Sequence, residues 1–186
     1  MDTVERSDET IARSVQTGEV EAFGELVVRY ENKLKRYAQK FLSQKEDVED
    51  LVQEVFIKAY TNIQSFDINL RFSPWIYRIA HNIFVNELRR KSRYGFNVFD
   101  ADTILPLIPA KETADNNILK EEIKKEMEFL LKNLSDKYRE IVVLHYFQEL
   151  SYKEISDILQ IPTTTVGVRM LRAKSQLKKE YQKIYE

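Results

Sequence analysis

Apolar residues recur every three or four positions along most of this 186-residue chain, and only four glycines and four prolines interrupt them. This spacing lines one face of an α-helix with apolar side chains, and helix interiors exclude glycine and proline. The pattern stops in residues 94–117, an acidic segment that contains Pro106 and Pro109. The sequence therefore predicts an all-α fold, in which helical domains at residues 1–93 and 118–186 are joined by an irregular linker.

Composition excludes several classes of protein and site. The chain has no cysteine, so it forms neither disulfides nor thiolate metal sites. No apolar run approaches the roughly 18 residues that a membrane helix requires, and no glycine-rich phosphate loop accompanies the two histidines, His81 and His145. We therefore expect a cytoplasmic protein without direct membrane insertion, enzymatic activity, small-molecule substrate, metal or cofactor.

Three helices are predicted before residue 64, over residues 10–16, 19–42 and 47–63. The third buries a stripe of apolar residues. Its outer face carries Asp50, Gln53, Glu54 and Ile57. An exposed isoleucine is ordinary on a surface helix and is also a suitable anchor for a protein partner, and the residues alone leave both interpretations open.

A fourth helix is predicted to open at Ser73 as its N-cap, with Pro74 at the first helical position. The face opposite its apolar residues carries Arg78, Asn82, Asn86 and Arg89, followed by Arg90. Asparagine pairs with base edges and arginine neutralises phosphates, so this stripe is suited to nucleic acid. A solvated helix face is the alternative.

The segment before this helix places two aromatic rings around a short polar loop. Phe66 and Phe72 flank Asp67, Asn69 and Arg71. An aromatic ring beside amide and carboxylate groups can stack on an unpaired base and hydrogen-bond its edge. The alternative, in which both rings lie in the core and Asp67 is a local cap, stays open.

The C-terminal residues have the pattern of a helix-turn-helix. Ser151 and Glu154 form a capping box before a short helix that ends near Gln160, and a last helix begins at Thr163 or Thr164 after a brief turn. Its outer face carries Thr165, Val168, Arg169, Arg172 and Gln176. Lysines follow, although the whole chain has a net charge of only -1. This arrangement is typical of major-groove DNA binding, with a structural α-hairpin as the alternative.

These blocks resemble the extracytoplasmic function (ECF) group of bacterial sigma factors, the promoter-recognition subunits of RNA polymerase. The segments DLVQEVFIKAY and SFDINLRFSPWIYRIAHNIFVNELRRK are similar to region two, and the segment LSDKYREIVVLHYFQELSYKEISDILQIPTTTVGVRMLRAKSQLKK is similar to region four. The resemblance implies three partners: core RNA polymerase, through its clamp helices and flap, promoter DNA, and an anti-sigma factor, which is common in the family.

The resemblance also assigns residues to these partners. Core polymerase binding falls to Asp50, Gln53, Glu54 and Ile57, and flap contact to the helices that carry Tyr138, Ile141 and Val142. Minus-ten DNA binding falls to Phe66, Asp67, Asn69, Arg71, Arg78, Asn82, Asn86, Arg89 and Arg90. Minus-thirty-five DNA binding falls to Thr163, Thr164, Thr165, Arg169, Arg172 and Lys174.

Three positions depart from the family's pattern. Pro74 stands where a threonine is usual, and Gly167 and Val168 stand where a lysine and a serine are usual. Glycine in a helix costs about 1 kcal/mol relative to alanine, so either the backbone approaches DNA closely at Gly167 or minus-thirty-five binding is weaker. A two-domain helix-turn-helix regulator that binds operators as a dimer without joining polymerase is the alternative function, and co-purification with core polymerase distinguishes the two.

Overall fold

The computed structural model describes residues 6–39, 45–93, 129–131 and 133–185. Within these ranges every regular element is a helix and none is a strand, which confirms the all-α prediction. The chain divides into two compact units, Met1–Phe99 and Asp100–Glu186. The predicted linker at residues 94–117 lies outside the described residues. In the same ranges no helix combines the length and apolarity that crossing a bilayer requires.

The described residues of the N-terminal unit form four α-helices and two short 3-10 helices. In chain order these are α1 (Asp8–Gln16), a 3-10 helix (Val20–Ala22), α2 (Phe23–Ala38), α3 (Lys45–Thr61), a second 3-10 helix (Ile63–Ser65) and α4 (Phe72–Arg93). Ser7 caps α1 by accepting the Thr10 amide at 3.2 Å. The chain reverses after α1 at Gly18, whose φ of 110° disfavours any residue with a side chain.

Aromatic side chains hold the N-terminal unit together. Tyr37 of α2 packs edge-on against Tyr77 of α4, with ring centroids 5.4 Å apart, and lies 5.7 Å from the Phe84 ring. Phe23 of α2 meets Phe56 of α3 at 6.4 Å. Each large apolar side chain that is fully buried contributes about 1.5–3 kcal/mol. The polar faces of α3 and α4 are therefore displayed on a packed core.

The predicted start of α4 at Ser73 was wrong, since the helix begins one residue earlier, at Phe72. The Glu9 carboxylate accepts the Phe72 amide at 3.0 Å, and the Ser73 hydroxyl instead hydrogen-bonds Tyr30. Burial together with the hydrogen bond to Asp8 raises the pKa of Tyr30, so this phenol stays protonated. Pro74 still lies in the first turn, where a missing amide costs no helical hydrogen bond.

The C-terminal unit contains three described helices, α5 (Asp136–Tyr146), α6 (Tyr152–Leu159) and α7 (Thr163–Tyr185). The predicted capping box is present: Ser151 Oγ accepts the Glu154 amide at 3.3 Å, and the Glu154 carboxylate accepts the Ser151 amide at 2.7 Å. Gln160 closes α6 with a φ of 53°. Helix α7 packs on α5 and α6 through its buried side chains, Val166, Met170 and Ala173.

Candidate functional site

The outer face of α3, comprising Asp50, Gln53, Glu54 and Ile57, is displayed as predicted. Ile57 is 62% exposed, whereas Val52 and Val55 on the opposite side of the helix are buried. Glu54 is half-buried and pairs with Lys58 at 2.9 Å. An apolar side chain ringed by polar groups on a rigid helix can anchor a protein partner.

The polar loop, residues 67–71, lies between the second 3-10 helix and α4. Asp67 Oδ1 accepts hydrogen bonds from the backbone amide and the side-chain amide of Asn69, each at 2.9 Å. The Leu70 amide donates to the Asp67 carbonyl at 3.0 Å, which closes a tight turn. Asn69, Leu70 and Arg71 are exposed, and Leu70 is 63% exposed. The loop therefore presents an amide, a guanidinium group and an aliphatic tip.

Phe66 does not take part in that display, and its predicted role as a stacking platform for a base is contradicted. Its ring is 4% exposed and packs against Phe72 and Trp75, with centroids 5.4 and 5.2 Å away. The alternative that the sequence left open is what the structure shows: two core rings, with Asp67 capping the turn. The reason is that Phe66 and Phe72 lie at the two ends of the loop and pack against each other. This packing removes apolar ring surface from water, which is more favourable than leaving either ring exposed.

The amide–arginine stripe of α4, comprising Arg78, Asn82, Asn86 and Arg89, is exposed along its whole length. On the other side of the helix Ile76, Ala80 and Ile83 are buried. At 1.5 Å per residue the stripe extends about 16 Å, which matches roughly five steps of a nucleic-acid strand. Arg90 differs, because its guanidinium donates to both carboxylate oxygens of Glu87, each at 2.7 Å.

The N-terminal half of α7 divides the predicted minus-thirty-five residues between exposed and half-buried positions. Thr163, Thr164, Arg172 and Lys174 are exposed, and Thr165 and Arg169 are half-buried. Thr164, Val168 and Arg172 share one face, because they are spaced by four residues. Val168 is exposed between them, and Leu171 is exposed beside it.

Lys174 is exposed but lies off the face that Thr164, Val168 and Arg172 share. Its ammonium lies 5.7 Å from the centroid of the Tyr146 ring of α5. A hydrogen bond with Tyr146 raises the pKa of Lys174. Two steps along a helix rotate a side chain by about 200°, so Lys174 points well away from Arg172.

Helix α5 carries Tyr138, Ile141 and Val142, the residues by which the resemblance identified the helices expected to contact the flap. Ile141 and Val142 are buried in the core of the C-terminal unit, and Tyr138 is half-buried. Hydrophobic packing within the C-terminal unit therefore accounts for the two aliphatic residues. The exposed ring on this helix belongs to Tyr146.

The two histidines take part in packing within their own units. His81 Nδ1 lies 3.1 Å from the Tyr37 hydroxyl, and His145 Nδ1 lies 2.8 Å from the Leu150 carbonyl. In the part of the chain that the structure describes, no three histidine or acidic side chains are grouped so that they could hold a metal ion.

Comparison with known proteins decides the family. Sequence models of two families match the chain, sigma-70 region 2 over residues 26–94 and sigma-70, region 4, over residues 124–177. The ECF RNA polymerase sigma factor SigW of Bacillus subtilis is 35% identical over 182 residues, which cover 90% of this chain and 93% of that relative. The chain belongs to the ECF group of the sigma-70 family. The ECF RNA polymerase sigma-E factor of Haemophilus influenzae is 32% identical over 185 residues, covering 95% of this sigma factor and 96% of the relative.

Solved structures support the same fold. The sigma factor RpoE of Bartonella quintana, solved in complex with the anti-sigma factor NepR, superposes with a TM-score of 0.65 at 23% sequence identity. The match covers 87% of this sigma factor and 98% of that chain. The all-helical architecture of regions two and four is therefore shared.

Two features of this sigma factor go beyond what the sequence indicated. Leu70 was missed as a surface residue, although its position between Asn69 and Arg71 was an available signal. At Gly167 an added Cβ would meet only a ring carbon of Tyr152, at 3.9 Å, which is an ordinary contact. The packing of region four therefore does not require glycine there.

Proposed function

We propose that this sigma factor binds core RNA polymerase, directs it to specific promoters and helps separate the DNA strands at the minus-ten element. The chain contributes binding free energy, and the bond-making chemistry belongs to the polymerase. It acts in the cytoplasm, where polymerase and promoter meet. Membership of the ECF sigma-70 family supports this function, and the match to sigma-70 region 2 favours it over a dimeric operator-binding regulator.

The outer face of α3 is the proposed polymerase surface. Ile57 supplies an apolar anchor, and Asp50, Gln53 and Glu54 supply a polar rim. Interfaces commonly combine a desolvated apolar centre with polar groups around it. We propose the polymerase clamp helices as the partner of this face.

The observation that carries the minus-ten assignment is the continuity of the polar loop with the amide–arginine stripe. The loop leads directly into α4, and the stripe begins within the first two turns of that helix. We propose that Asp67, Asn69 and Arg71 receive an unpaired base, while the stripe holds the adjoining strand. Because Phe66 is buried, recognition at the loop rests on hydrogen bonds and on the Leu70 side chain.

The energy required for strand separation is within reach of these contacts. Extruding a base costs a few kcal/mol. A hydrogen bond contributes about 0.5–1.5 kcal/mol net of the bonds to water that it replaces, and a hydrogen bond to a charged group contributes about 1.5–3 kcal/mol. Three amides and three guanidinium groups on loop and stripe can therefore offset the cost. Arg90 contributes less than its neighbours, because Glu87 already holds its guanidinium.

Region four is the proposed minus-thirty-five surface. The hydroxyls of Thr163 and Thr164 stand at the N-terminus of α7, where free helix amides favour a phosphate. Arg172 and Arg169 follow on the outer side, and Thr165 stands beside them. Val168 replaces a polar family residue and offers an apolar contact of the kind that a thymine methyl group makes.

An anti-sigma factor is the proposed regulatory partner. The relative RpoE was solved bound to such a protein. In this chain Ile57 in region two and Val168 and Leu171 in region four are exposed apolar side chains. A partner that covers either set would block the proposed polymerase or promoter surface.

Reconstitution tests this function. The purified chain is mixed with sigma-free core polymerase, and the complex is isolated by size exclusion and assayed by run-off transcription on a promoter selected from random duplex DNA. We expect a stoichiometric complex and promoter-dependent transcripts. A chain that shifts duplex DNA as a dimer but neither joins core polymerase nor supports transcripts would establish the operator-binding alternative instead.

A further inference from the structure

Helix α1 contacts both ends of the polar loop, although neither DNA nor polymerase binding has been assigned to it. Glu9 and Gln16 are seven residues apart, so they lie on the same side of α1, about 10 Å from one another along its axis. The loop begins after Phe66 and ends before Phe72. Each of the two α1 side chains meets one of these positions.

Gln16 holds the beginning of the loop. Its Nε2 donates to the Ile63 carbonyl at 2.7 Å and to the Phe66 carbonyl at 2.8 Å, which uses both hydrogens of the amide. The carbonyl at Phe66 is the last one before the loop. The Gln64 side chain donates back to the Gln16 carbonyl at 3.1 Å. These bonds join residues that are 47 to 50 positions apart in sequence.

Glu9 holds the end of the loop. Its Oε1 accepts the Phe72 amide at 3.0 Å, across 63 positions of sequence. Phe72 is the first residue of α4, so this amide has no carbonyl partner within the helix. A carboxylate at a helix N-terminus also interacts favourably with the helix dipole. Glu9 thus replaces an N-cap residue that the loop itself does not supply.

We infer that α1 is the positioning element of the polar loop, with Glu9 and Gln16 fixing its two ends so that Asn69, Leu70 and Arg71 are presented in one arrangement to the unpaired base. This inference rests on the proposed minus-ten function. Ordering a free backbone costs free energy at every residue, so a loop that is already fixed binds its target more tightly and discriminates better between bases.

The test uses the full chain in two measurements. The variants are Gln16→Ala, Glu9→Ala and Glu9→Gln, of which the last keeps a carbonyl oxygen that can accept the Phe72 amide. Gln64→Ala is the matched control, because it removes a hydrogen bond to α1 without releasing the loop carbonyls. Hydrogen–deuterium exchange is followed in peptides covering residues 64–74. Separately, reconstituted holoenzyme selects from a duplex pool with a randomised 12-base-pair segment, and base preference is read at each position.

For Gln16→Ala and Glu9→Ala we expect exchange in residues 64–74 to be about tenfold faster. This factor corresponds to about 1.4 kcal/mol, which is in the range for losing two ordinary hydrogen bonds in the first variant or one to a charged group in the second. We also expect base preference to fall by about tenfold at one position, with unchanged affinity for core polymerase. Glu9→Gln and Gln64→Ala should resemble the wild type in both measurements.

Three outcomes overturn the inference. The first is unchanged base preference in Gln16→Ala and Glu9→Ala despite faster exchange, which would make α1 merely structural. The second is an equal loss of base preference in Glu9→Gln and Glu9→Ala. If Gln16→Ala loses protection from exchange throughout the N-terminal unit, the comparison of the two Glu9 variants alone tests the inference. The third is a wild-type holoenzyme that binds DNA without preferring any base, which refutes the proposed minus-ten function itself and with it the inference.

Discussion

Replacing Ile57 with aspartate should remove this chain from core polymerase without unfolding it. The side chain is 62% exposed, and full burial of an isoleucine is worth about 1.5–3 kcal/mol, so about 1–2 kcal/mol is available at an interface. A carboxylate in the same place loses that gain and adds a desolvation cost of about 2 kcal/mol or more. The sum exceeds about 3 kcal/mol, which is a more than 100-fold rise in Kd.

The matched control is Val28→Asp, since Val28 is also an exposed β-branched residue, at 78%, on the neighbouring helix α2. The free energy of unfolding of both variants should be within about 0.5 kcal/mol of the wild-type value, because neither side chain is in the core. Biolayer interferometry with immobilised core polymerase gives the Kd, and circular dichroism gives the stability. Wild-type affinity in Ile57→Asp, or an equal loss in Val28→Asp, would refute the placement of the anchor on the outer face of α3.

Two further predictions concern the C-terminal unit. Gly167→Ala should stabilise it by about 1 kcal/mol, because alanine favours helix and the added Cβ makes only an ordinary contact at 3.9 Å. Calorimetry should then show that the melting temperature of the C-terminal unit rises by about 4–8 °C. Gly18→Ala should instead lower the melting temperature of the N-terminal unit, because φ is 110° at Gly18. A lower melting temperature of the C-terminal unit in Gly167→Ala would contradict the prediction. Arg172→Ala should reduce the slope of log affinity against log salt concentration by about 0.9 in anisotropy titrations with duplex DNA. Lys183 is the control, because its amine is already ion-paired with Glu180 at 2.7 Å, and Lys183→Ala should change the slope less. An unchanged slope in folded Arg172→Ala would remove Arg172 from the interface.

The surface stripes could be predicted because helical periodicity is a local property. Ile57 and Asn82 each lie three or four residues from other members of an exposed set, so one helical wheel places them. The capping box at Ser151 is equally local, since its two hydrogen bonds join residues three positions apart.

The loop could not be predicted in the same way. The ring of Phe66 is buried by partners at the far end of the loop and on α4, and spacing alone fits a core ring as well as an exposed one. Gln16 and Glu9 reach the loop across 47 to 63 positions, and no local pattern encodes such a contact. Glu9 and Gln16, which position the candidate site, are therefore residues that sequence patterns could not identify.

Permanganate footprinting of unpaired thymines tests the central claim, which is that strand separation is a binding event on the loop and stripe of region two, separate from polymerase binding. Holoenzyme containing Asn82→Ala combined with Asn86→Ala is compared with wild type on a duplex promoter and on a pre-melted template. Both asparagines are exposed, so the double variant should fold and bind core polymerase normally. We predict reduced reactivity on the duplex and wild-type run-off transcription from the pre-melted template. Wild-type reactivity on the duplex, or failure of the variant to bind core polymerase, would contradict the claim.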